Sequence, residues 1–180
     1  WCSNDPLYVA YHDHEWGRVL TDEAALFEML CLEGQQAGLA WITVLKKREA
    51  YREHFFQYSI EQIASMSDAD IAYKKQDIRL IRHLGKLTSI RDNAIAWLKL
   101  KAQGIDVVVW LLGFAAVPRL NNNVSDYRQL STQTIESQNM SKALKKAGFK
   151  FVGPTICYAF MQAVGMVDDH ENHCHFKSTQ

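Results

Sequence analysis

Residues 22–41 read DEAALFEMLCLEGQQAGLAW, and the apolar positions within them repeat with the period of an α-helix. Leu26, Leu30 and Cys31 share one face of such a helix, because 3.6 residues complete each turn. The apolar run leads into Glu33, which is followed by two glycines and two glutamines. We therefore predict an amphipathic helix over this stretch, with a carboxylate in an apolar setting near its C-terminal end.

The helical period also dominates the rest of the chain. Capping residues and glycines mark where further helices begin and end. The predicted helices run from Ser59 to Met66, onward from Ser67, from Lys86 to Gln103, from Ser141 to Ala147 and from Thr155 to Val164. Residues 107–112 could form a buried strand, but no partner strand is evident, so we predict a helix there. The polar residues 118–138 are predicted to be a loop, where we expect disorder.

Length and composition favour one all-α domain that comprises residues 1–180. With 48% hydrophobic residues the chain can bury a sizeable core. Its longest apolar run, residues 107–117, is too short to span a bilayer, so we expect no membrane partner. No signal-peptide pattern opens the sequence, and its four cysteines are scattered. We therefore expect a cytoplasmic protein whose Cys31 and Cys157 are core residues.

The charges are balanced overall but unevenly distributed. Residues 1–40 contain one basic side chain against seven acidic ones, whereas residues 74–101 contain eight basic side chains against two acidic ones. Residues 142–150 add four lysines and no acid. Such an asymmetry produces a basic face suited to a polyanion such as nucleic acid. Solvated helix faces would give the same pattern, so both interpretations stay open at this point.

Aromatic residues crowd around Glu33 in the first part of the chain. They are Trp1, Tyr8, Tyr11, Trp16 and Trp41. Stacked rings with one acceptor bind a flat, electron-poor ring through stacking and cation–π attraction. The alternative is an ordinary aromatic core in which Glu33 caps a helix or forms a local salt bridge.

Histidines and cysteines cluster at the two ends of the chain. The set comprises His12 and His14 near the start, and His170, His173, Cys174 and His175 near the end. If residues 169–174 form one helical turn, a His and a Cys four positions apart face the same way, as a metal pair requires. Metal binding would then tie the two ends together, although a His-rich tail also binds metal adventitiously.

Residues 78–87 contain a glycine and several basic side chains between two predicted helices. A short turn of this kind can direct backbone N–H groups at a phosphate while Arg and Lys supply charge. The pattern has low specificity by itself. The sequence contains no phosphate-cradling glycine-rich loop, no serine-hydrolase elbow and no strand–helix alternation, which disfavours nucleotide-binding and hydrolase folds of those kinds.

Three blocks of sequence, in this order, closely resemble the bacterial 3-methyladenine DNA glycosylase I family. They are residues 1–17 (with Asp5-Pro6-Leu7-Tyr8, Tyr11-His12-Asp13 and Glu15-Trp16-Gly17), residues 32–48 and residues 150–158. The resemblance extends to about residue 175 and weakens only within residues 118–138. It implies a helix-hairpin-helix DNA glycosylase fold, with the hairpin motif at about residues 72–103. It also implies hydrolysis of the N-glycosidic bond of 3-methyladenine in double-stranded DNA, release of free 3-methyladenine, and no strand cleavage.

The resemblance also implies a bacterial monomer that is nucleoid-associated when bound to DNA. It further implies roles for individual residues in the base pocket, on the DNA-binding surface and in the metal site.

 Glu33 would recognise the flipped base, with Tyr11 hydrogen-bonding to it and Trp41 stacking on it, while Trp1, Tyr8 and Trp16 shape the pocket. The residues expected to contact DNA are Gln36, Gly38 and Leu39, which fill the gap in the duplex, and Arg82, Gly85 and Lys86 of the hairpin. One structural Zn²⁺ would be held by His12, His170 and Cys174, so that residues 1–17 and 165–176 form a zinc-tied lobe.

The sequence departs from the family pattern at two places. The family's fourth zinc ligand is a cysteine a few residues before the position of Trp1, and Cys2 does not match that position. Arg79 stands in the hairpin where relatives often have a glycine. Asp92 is the only carboxylate that follows the hairpin closely in the sequence, and the resemblance implies that the water-activating role of an Asp in that region is unfilled. We therefore expect Glu33 to read the lesion more than to break the bond. A non-catalytic, zinc-tied helical module that recognises modified bases is the alternative.

Overall fold

The computed structural model of the protein describes residues 1–2, 4–116 and 119–177. Within them the chain is mostly helical. The helices are α1 (Pro6–His14), α2 (Glu23–Gln36), α3 (Trp41–Leu45), α4 (Arg48–Tyr51, continued by a π-helical turn at Arg52–Phe56), α5 (Ile60–Ala64), α6 (Asp68–Lys74), α7 (Leu84–Ala102), α8 (Val107–Leu112), α9 (Ile135–Ala147) and α10 (Pro154–Ala163). Two short strands, β1 (Leu120–Asn121) and β2 (Val167–Asp168), pair in parallel.

Helix α2 lies at the centre of the core and confirms the helix predicted from the amphipathic stretch. It begins at Asp22, whose side chain accepts a hydrogen bond from the backbone N–H of Ala25. Leu26, Leu30 and Leu32 are fully buried where α2 packs against α3, α7 and α10. Burial of this apolar face holds the helix in place, and the same packing keeps its C-terminal turn inside the protein.

Most of the other predicted helices are also confirmed. Ser59 and Ser67 form the capping boxes that begin α5 and α6, each bonded to the residue three positions on. Residues 107–112 are helical, as expected from the lack of a partner strand. Helix α7 begins two residues earlier than predicted, with His83 as its N-cap, and Gly104 follows its end at a positive φ of 79°. The hairpin region therefore consists of α6, the connection at residues 75–83, and α7.

The prediction for residues 118–138 is wrong in two respects, apart from Pro118, which lies outside the described residues. Residues 120–121 pair with β2, and Val124 forms a parallel bridge with Glu171. Helix α9 begins at Ile135 and not at residue 141, because Thr134 forms a capping box with Ser137. The described part of this segment is thus attached to the C-terminal region instead of being a disordered loop.

The two ends of the chain pack together. The backbone N–H groups of Gly17 and Leu20 donate to the carbonyls of Ala163 and Val164 at the end of α10. Gly165 has a positive φ, and a Cβ there would lie 2.6 Å from the backbone of Arg18, so only glycine allows this approach. Among the described residues, no helix combines the length and apolarity needed to cross a bilayer.

Candidate active site and metal centre

A pocket of about 300 Å³ opens where α1, α2, α3 and α10 converge. All the residues predicted to bind a base line it, together with Gln36. The base-binding set comprises Trp1, Tyr8, Tyr11, Trp16, Glu33 and Trp41. The structure therefore brings together side chains from three separate helices, from the turn that follows α1 and from the N-terminal residue. A volume of this size at the mouth of an apolar cleft suits a small planar ligand.

Glu33 lies in the last turn of α2, and only 3% of its surface is exposed. Its Oε2 atom is buried and has no hydrogen-bond partner. Burial raises the pKa of this carboxyl to about 8, because desolvation disfavours the charged form. Among the residues that the structure describes, Glu33 caps no helix and forms no salt bridge, so the alternative of an ordinary core acid is not supported. A buried acid without a protein partner is a recognised mark of a functional site.

The indole of Trp41, whose side chain lines the pocket, carries a second buried polar atom without a partner among the described residues. Its Nε1 is buried and has no hydrogen-bond partner, although nine-tenths of the side chain is inside the protein. The Trp41 ring lies 5.4 Å from the ring of Tyr11 at an angle of 46°, so the two rings form a corner. Burial raises the pKa of Tyr11 well above its ordinary value, with the nearby Glu33 adding to the effect, so its hydroxyl stays protonated. The pocket thus offers both a donor and an acceptor to the edge of a ring.

Trp1 holds the aromatic wall in place on the side of α1. Its ring makes edge-to-face contacts with Tyr8 at 5.0 Å and with Trp16 at 5.1 Å between ring centroids. Such T-shaped pairs are favoured by the quadrupoles of the rings. These residues form a wall and not a freely moving lining, which is the geometry that a stacked ligand requires.

Sequence reasoning missed the part of the pocket that α10 contributes. Thr155, Tyr158 and Gln162 lie one helical turn apart on the face of α10 that lines the pocket. The Tyr158 hydroxyl and the Gln162 amide both donate to Asp169 at 2.7 Å. Polar residues at helical spacing within an otherwise apolar helix were the available signal. Residues 127 and 130–132 also line the pocket, but their approach is a long-range effect that the local sequence does not indicate.

The residues expected to fill the duplex lie at the rim of the pocket. Gln36 lines the pocket, and the chain then turns outward at Gly38, which has a φ of 77°. A Cβ at Gly38 would meet no atom within 4 Å, so the tip of this turn is open to solvent. Leu39, which follows Gly38, is 40% exposed. The turn therefore presents an apolar side chain next to the base-sized cavity.

The hairpin residues do not all reach the surface. Arg82 and Gly85 are exposed, as a phosphate contact requires. Lys86, in contrast, is 7% exposed, and its Nζ donates to the carbonyls of Gln35 and Ala37, both at 2.7 Å. The backbone at the C-terminal end of α2 already binds its ammonium group, which disfavours a phosphate contact, and the predicted contact of Lys86 with DNA stays a prediction. Arg79 is exposed but paired with Asp77 and a neighbouring glutamate.

The three predicted metal ligands come together. One ligand atom from each of His12, His170 and Cys174 lies within 4.8 Å of the others, and the His12 Nε2 is 3.8 Å from the Cys174 Sγ. The Nδ1 atoms of the two imidazoles contact Asp13 at 2.7 Å and Asp168 at 2.8 Å. Carboxylates in this position orient a metal-binding histidine and leave Nε2 free for the metal. The Nε2 of His170 is buried without a hydrogen-bond partner, which fits that arrangement.

One expectation about this cluster is corrected. Residues 169–174 do not form a helical turn, because they comprise the bridge at Glu171 and the turns that follow it. Cys2 contributes no atom to the ligand group that the described residues bring together, although it lines the cavity that is also lined by His12, His170 and Cys174. His14 and His173 are exposed and lie outside the group.

Fold and site together define a mainly helical protein with a base-sized aromatic pocket around a buried acid, next to a His/Cys group that could hold a metal ion. The family model described as methyladenine glycosylase matches residues 1–178. The chain therefore belongs to the methyladenine glycosylase family.

Its relatives are similar over nearly their whole length. DNA-3-methyladenine glycosylase 1 of Escherichia coli (strain K12) is 50% identical over 174 residues, which cover 97% of this chain and 93% of the relative. A crystal structure of a 3-methyladenine DNA glycosylase I has a TM-score of 0.94 and 49% identity, with coverage of 97% and 96%. A tyrosine-to-phenylalanine variant of a 3-methyladenine DNA glycosylase I, in complex with 3-methyladenine, has a TM-score of 0.91 and 35% identity, with coverage of 98% and 95%.

Proposed function

We propose that this protein removes 3-methyladenine from alkylated DNA by hydrolysing the N-glycosidic bond of the flipped nucleotide. The observation that carries the proposal is the partnerless Glu33 carboxyl inside a base-sized aromatic pocket. Relatives at about half identity that are named DNA-3-methyladenine glycosylase support the assignment as an enzyme. They disfavour the alternative of a module that recognises modified bases without cutting.

Hydrolysis of this glycosidic bond needs little catalytic assistance from the protein beyond recognition of the base. Methylation at N3 gives the adenine ring a positive charge, which weakens both the glycosidic bond and the base pair. Flipping such a nucleotide out of the duplex costs a few kcal/mol, and less for a damaged base. The C1′–N9 bond breaks with its electron pair leaving on the base, which departs as neutral 3-methyladenine. A water oxygen bonds to C1′ and loses its proton to solvent, so an abasic site remains and the strand is not cut.

Glu33 distinguishes the cationic base from normal adenine. In the free protein its raised pKa keeps most of the population neutral near pH 7. A cationic ring in the pocket favours the ionised form of Glu33, and the carboxylate then attracts the positive charge of the lesion. A neutral adenine carries no such charge and gains no such attraction. The hydroxyl of Tyr11 adds a donor for a ring nitrogen, and the ring of Trp41 supplies a face on which the base stacks. Asp92 is bonded to Arg91 and does not line the pocket, in keeping with little general-base assistance.

The test of this function is release of free 3-methyladenine from methylated DNA under single-turnover conditions, followed by chromatography. We expect the wild-type protein to release the base and Glu33→Gln, which keeps the shape and removes the charge, to be slower by about 100-fold. Glu61→Gln, on the exposed surface of α5, is the matched control and should release base at the wild-type rate. Wild-type release by the Glu33→Gln variant would disprove the role given to Glu33.

Double-stranded DNA approaches, in this proposal, from the side of the outward turn and the hairpin. Leu39 and Gly38 would occupy the space that the flipped nucleotide leaves, and Gln36 would lie between that space and the pocket. Arg82 and the backbone at Gly85 would contact phosphates. One protein molecule would act on one lesion, since all of these parts belong to a single chain.

We also propose that the His/Cys group holds one structural zinc ion. His12, His170 and Cys174 supply two nitrogens and one sulfur, a donor set that zinc favours. Their positions at the two ends of the chain mean that the ion would cross-link residues 1–17 to residues 165–176 and stabilise the fold. Metal analysis by mass spectrometry should find one zinc per chain, lost in Cys174→Ala and kept in His14→Ala, the exposed control. A chelator should lower the melting temperature of the wild-type protein, and a zinc-free protein of unchanged stability would contradict the proposal.

A further inference from the structure

Lys86 is a buried cation that the proposed chemistry does not use. Its Nζ lies 2.7 Å from the carbonyl oxygens of both Gln35 and Ala37, in the last turn of α2 and just beyond it. Carbonyl groups at the C-terminal end of a helix lack N–H donors within the helix, and a positive charge there is favoured by the helix dipole. The ammonium group therefore fixes the backbone at the point where α2 ends.

The contact is reciprocal. The side-chain amide of Gln35, which is fully buried, donates to the carbonyl oxygen of Lys86 at 2.8 Å. The Tyr51 hydroxyl donates to the Gln35 side-chain oxygen at 3.1 Å and accepts from the backbone N–H of Ile81 at 3.4 Å. Gln35 is thus connected to the hairpin at two positions, on either side of Arg82.

These contacts join two segments that are separate in the sequence. On one side is the outward turn, residues 36–39, which follows Gln35 directly and carries the exposed Leu39. On the other side is the part of the hairpin at residues 81–86, where Arg82 and Gly85 are exposed. Glu33 lies in the same helical turn as Gln35, so the base pocket is attached to the same anchor. A shift of the hairpin would therefore move the turn beside the pocket.

We propose that Gln35 and Lys86 form a positioning clamp through which phosphate contacts at the hairpin hold residues 36–39 in the place where they support a flipped base. This role rests on the proposed glycosylase function. Lys86 acts through the backbone of α2 and touches neither the base nor a phosphate. Two apolar side chains could fill the same volume, but they would not specify the position of the two carbonyl groups, whereas hydrogen bonds to a buried cation do.

The experiment compares two substrates that differ only in the cost of flipping. An oligonucleotide with one adenine is methylated and annealed either to a strand with thymine opposite the lesion or to a strand that leaves the lesion in a one-nucleotide bulge. For Lys86→Met, which keeps the length of the side chain and removes its donors, we expect the single-turnover rate to fall about 30-fold on the paired substrate and about threefold or less on the bulge. Affinity for free 3-methyladenine should stay within about twofold of wild type, because the ammonium group lies outside the pocket.

Two further variants make the result decisive. Arg82→Met, the exposed neighbour, removes one of the phosphate contacts that the clamp transmits, so it should weaken DNA binding, flatten its salt dependence and lower the rate at saturating DNA more on the paired than on the bulged substrate. Tyr51→Phe removes one hydroxyl from the clamp with little change in volume, and it should show a smaller form of the paired-substrate defect even if Lys86→Met does not fold.

If the single-turnover rate of Lys86→Met or of Tyr51→Phe fell equally on the paired and bulged substrates, these residues would only stabilise the fold. That result would overturn the proposal. An unchanged rate on both substrates would also overturn it. If the wild-type protein released no base from either substrate, the proposed function itself would be wrong, and that result is distinct from a failure of the clamp alone.

Discussion

Glu33 and Lys86 are two buried, ionisable side chains at the C-terminal end of α2, and they differ in whether their charged groups have hydrogen-bond partners. Glu33 has an open carboxylate oxygen and a pKa raised to about 8 by burial. Lys86 has its ammonium group bonded to two backbone carbonyls. The sequence predicted that both residues bind ligands, Glu33 a base and Lys86 a phosphate. The difference teaches that a buried group left without a partner is available to a ligand, whereas a buried group with partners belongs to the framework.

The comparison predicts that neutralising the two residues changes stability in opposite directions. The larger effect concerns Glu33→Gln. The folded-state pKa of about 8 lies above the ordinary value of 4.5, so the folded protein binds a proton that the unfolded chain has released. The free energy of unfolding of the wild type should therefore fall relative to the variant as the pH rises from about 4.5 to 8. The variant should gain roughly 4 kcal/mol by pH 8, since each unit of pKa difference corresponds to about 1.4 kcal/mol.

Urea unfolding of both proteins at pH 5, 6, 7 and 8 measures this effect. The difference between the two unfolding free energies, and not either value alone, is the relevant quantity, because other groups titrate equally in both proteins. A difference that stayed constant across the range would mean that Glu33 has an ordinary pKa and a partner in the folded protein.

The smaller effect concerns Lys86→Met. The substitution leaves the carbonyls of Gln35 and Ala37 without their donor inside the protein, and the variant should lose about 3 kcal/mol, as unsatisfied buried acceptors cost about 1–3 kcal/mol each. Thermal unfolding should show a melting temperature lower by about 9 °C for a chain of this size. Lys142→Met, on the exposed face of α9, is the control and should melt within about 1 °C of wild type. A melting temperature of Lys86→Met equal to that of the control would show that the lysine has no structural partner.

Local signals in the sequence predicted much of the fold correctly. The caps at Asp22, Ser59 and Ser67 begin helices where the spacing of their partners indicates. The same logic was available at Thr134, whose capping box begins α9, but the polar residues around it favoured a loop. Helix starts depend on residues within three positions of one another, which is why the sequence reveals them.

The candidate site was predictable only in part. The aromatic residues around Glu33 and the three metal-type ligands were found because their side-chain chemistry is unusual for their positions. The burial of Lys86 could not be found in this way, since its partners are about 50 residues distant along the chain and are backbone atoms. Residues 127 and 130–132 were missed for the same reason: they reach the pocket through pairing between β1 and β2. The chemistry of a side chain can be read from the sequence, whereas its exposure to solvent depends on packing against residues that are distant along the chain.

The most direct test of the open carboxylate is a titration of Glu33 itself. The side-chain carboxyl carbon, labelled with ¹³C, can be followed by NMR in the free protein and with 3,9-dimethyladenine bound, a cation whose N9 methyl group replaces the sugar. The account predicts a midpoint near pH 8 in the free protein, lowered by at least about one unit when the cation is bound, because the positive ring favours the carboxylate. A midpoint near 4.5 in the free protein, or one that the cation leaves unchanged, would contradict it.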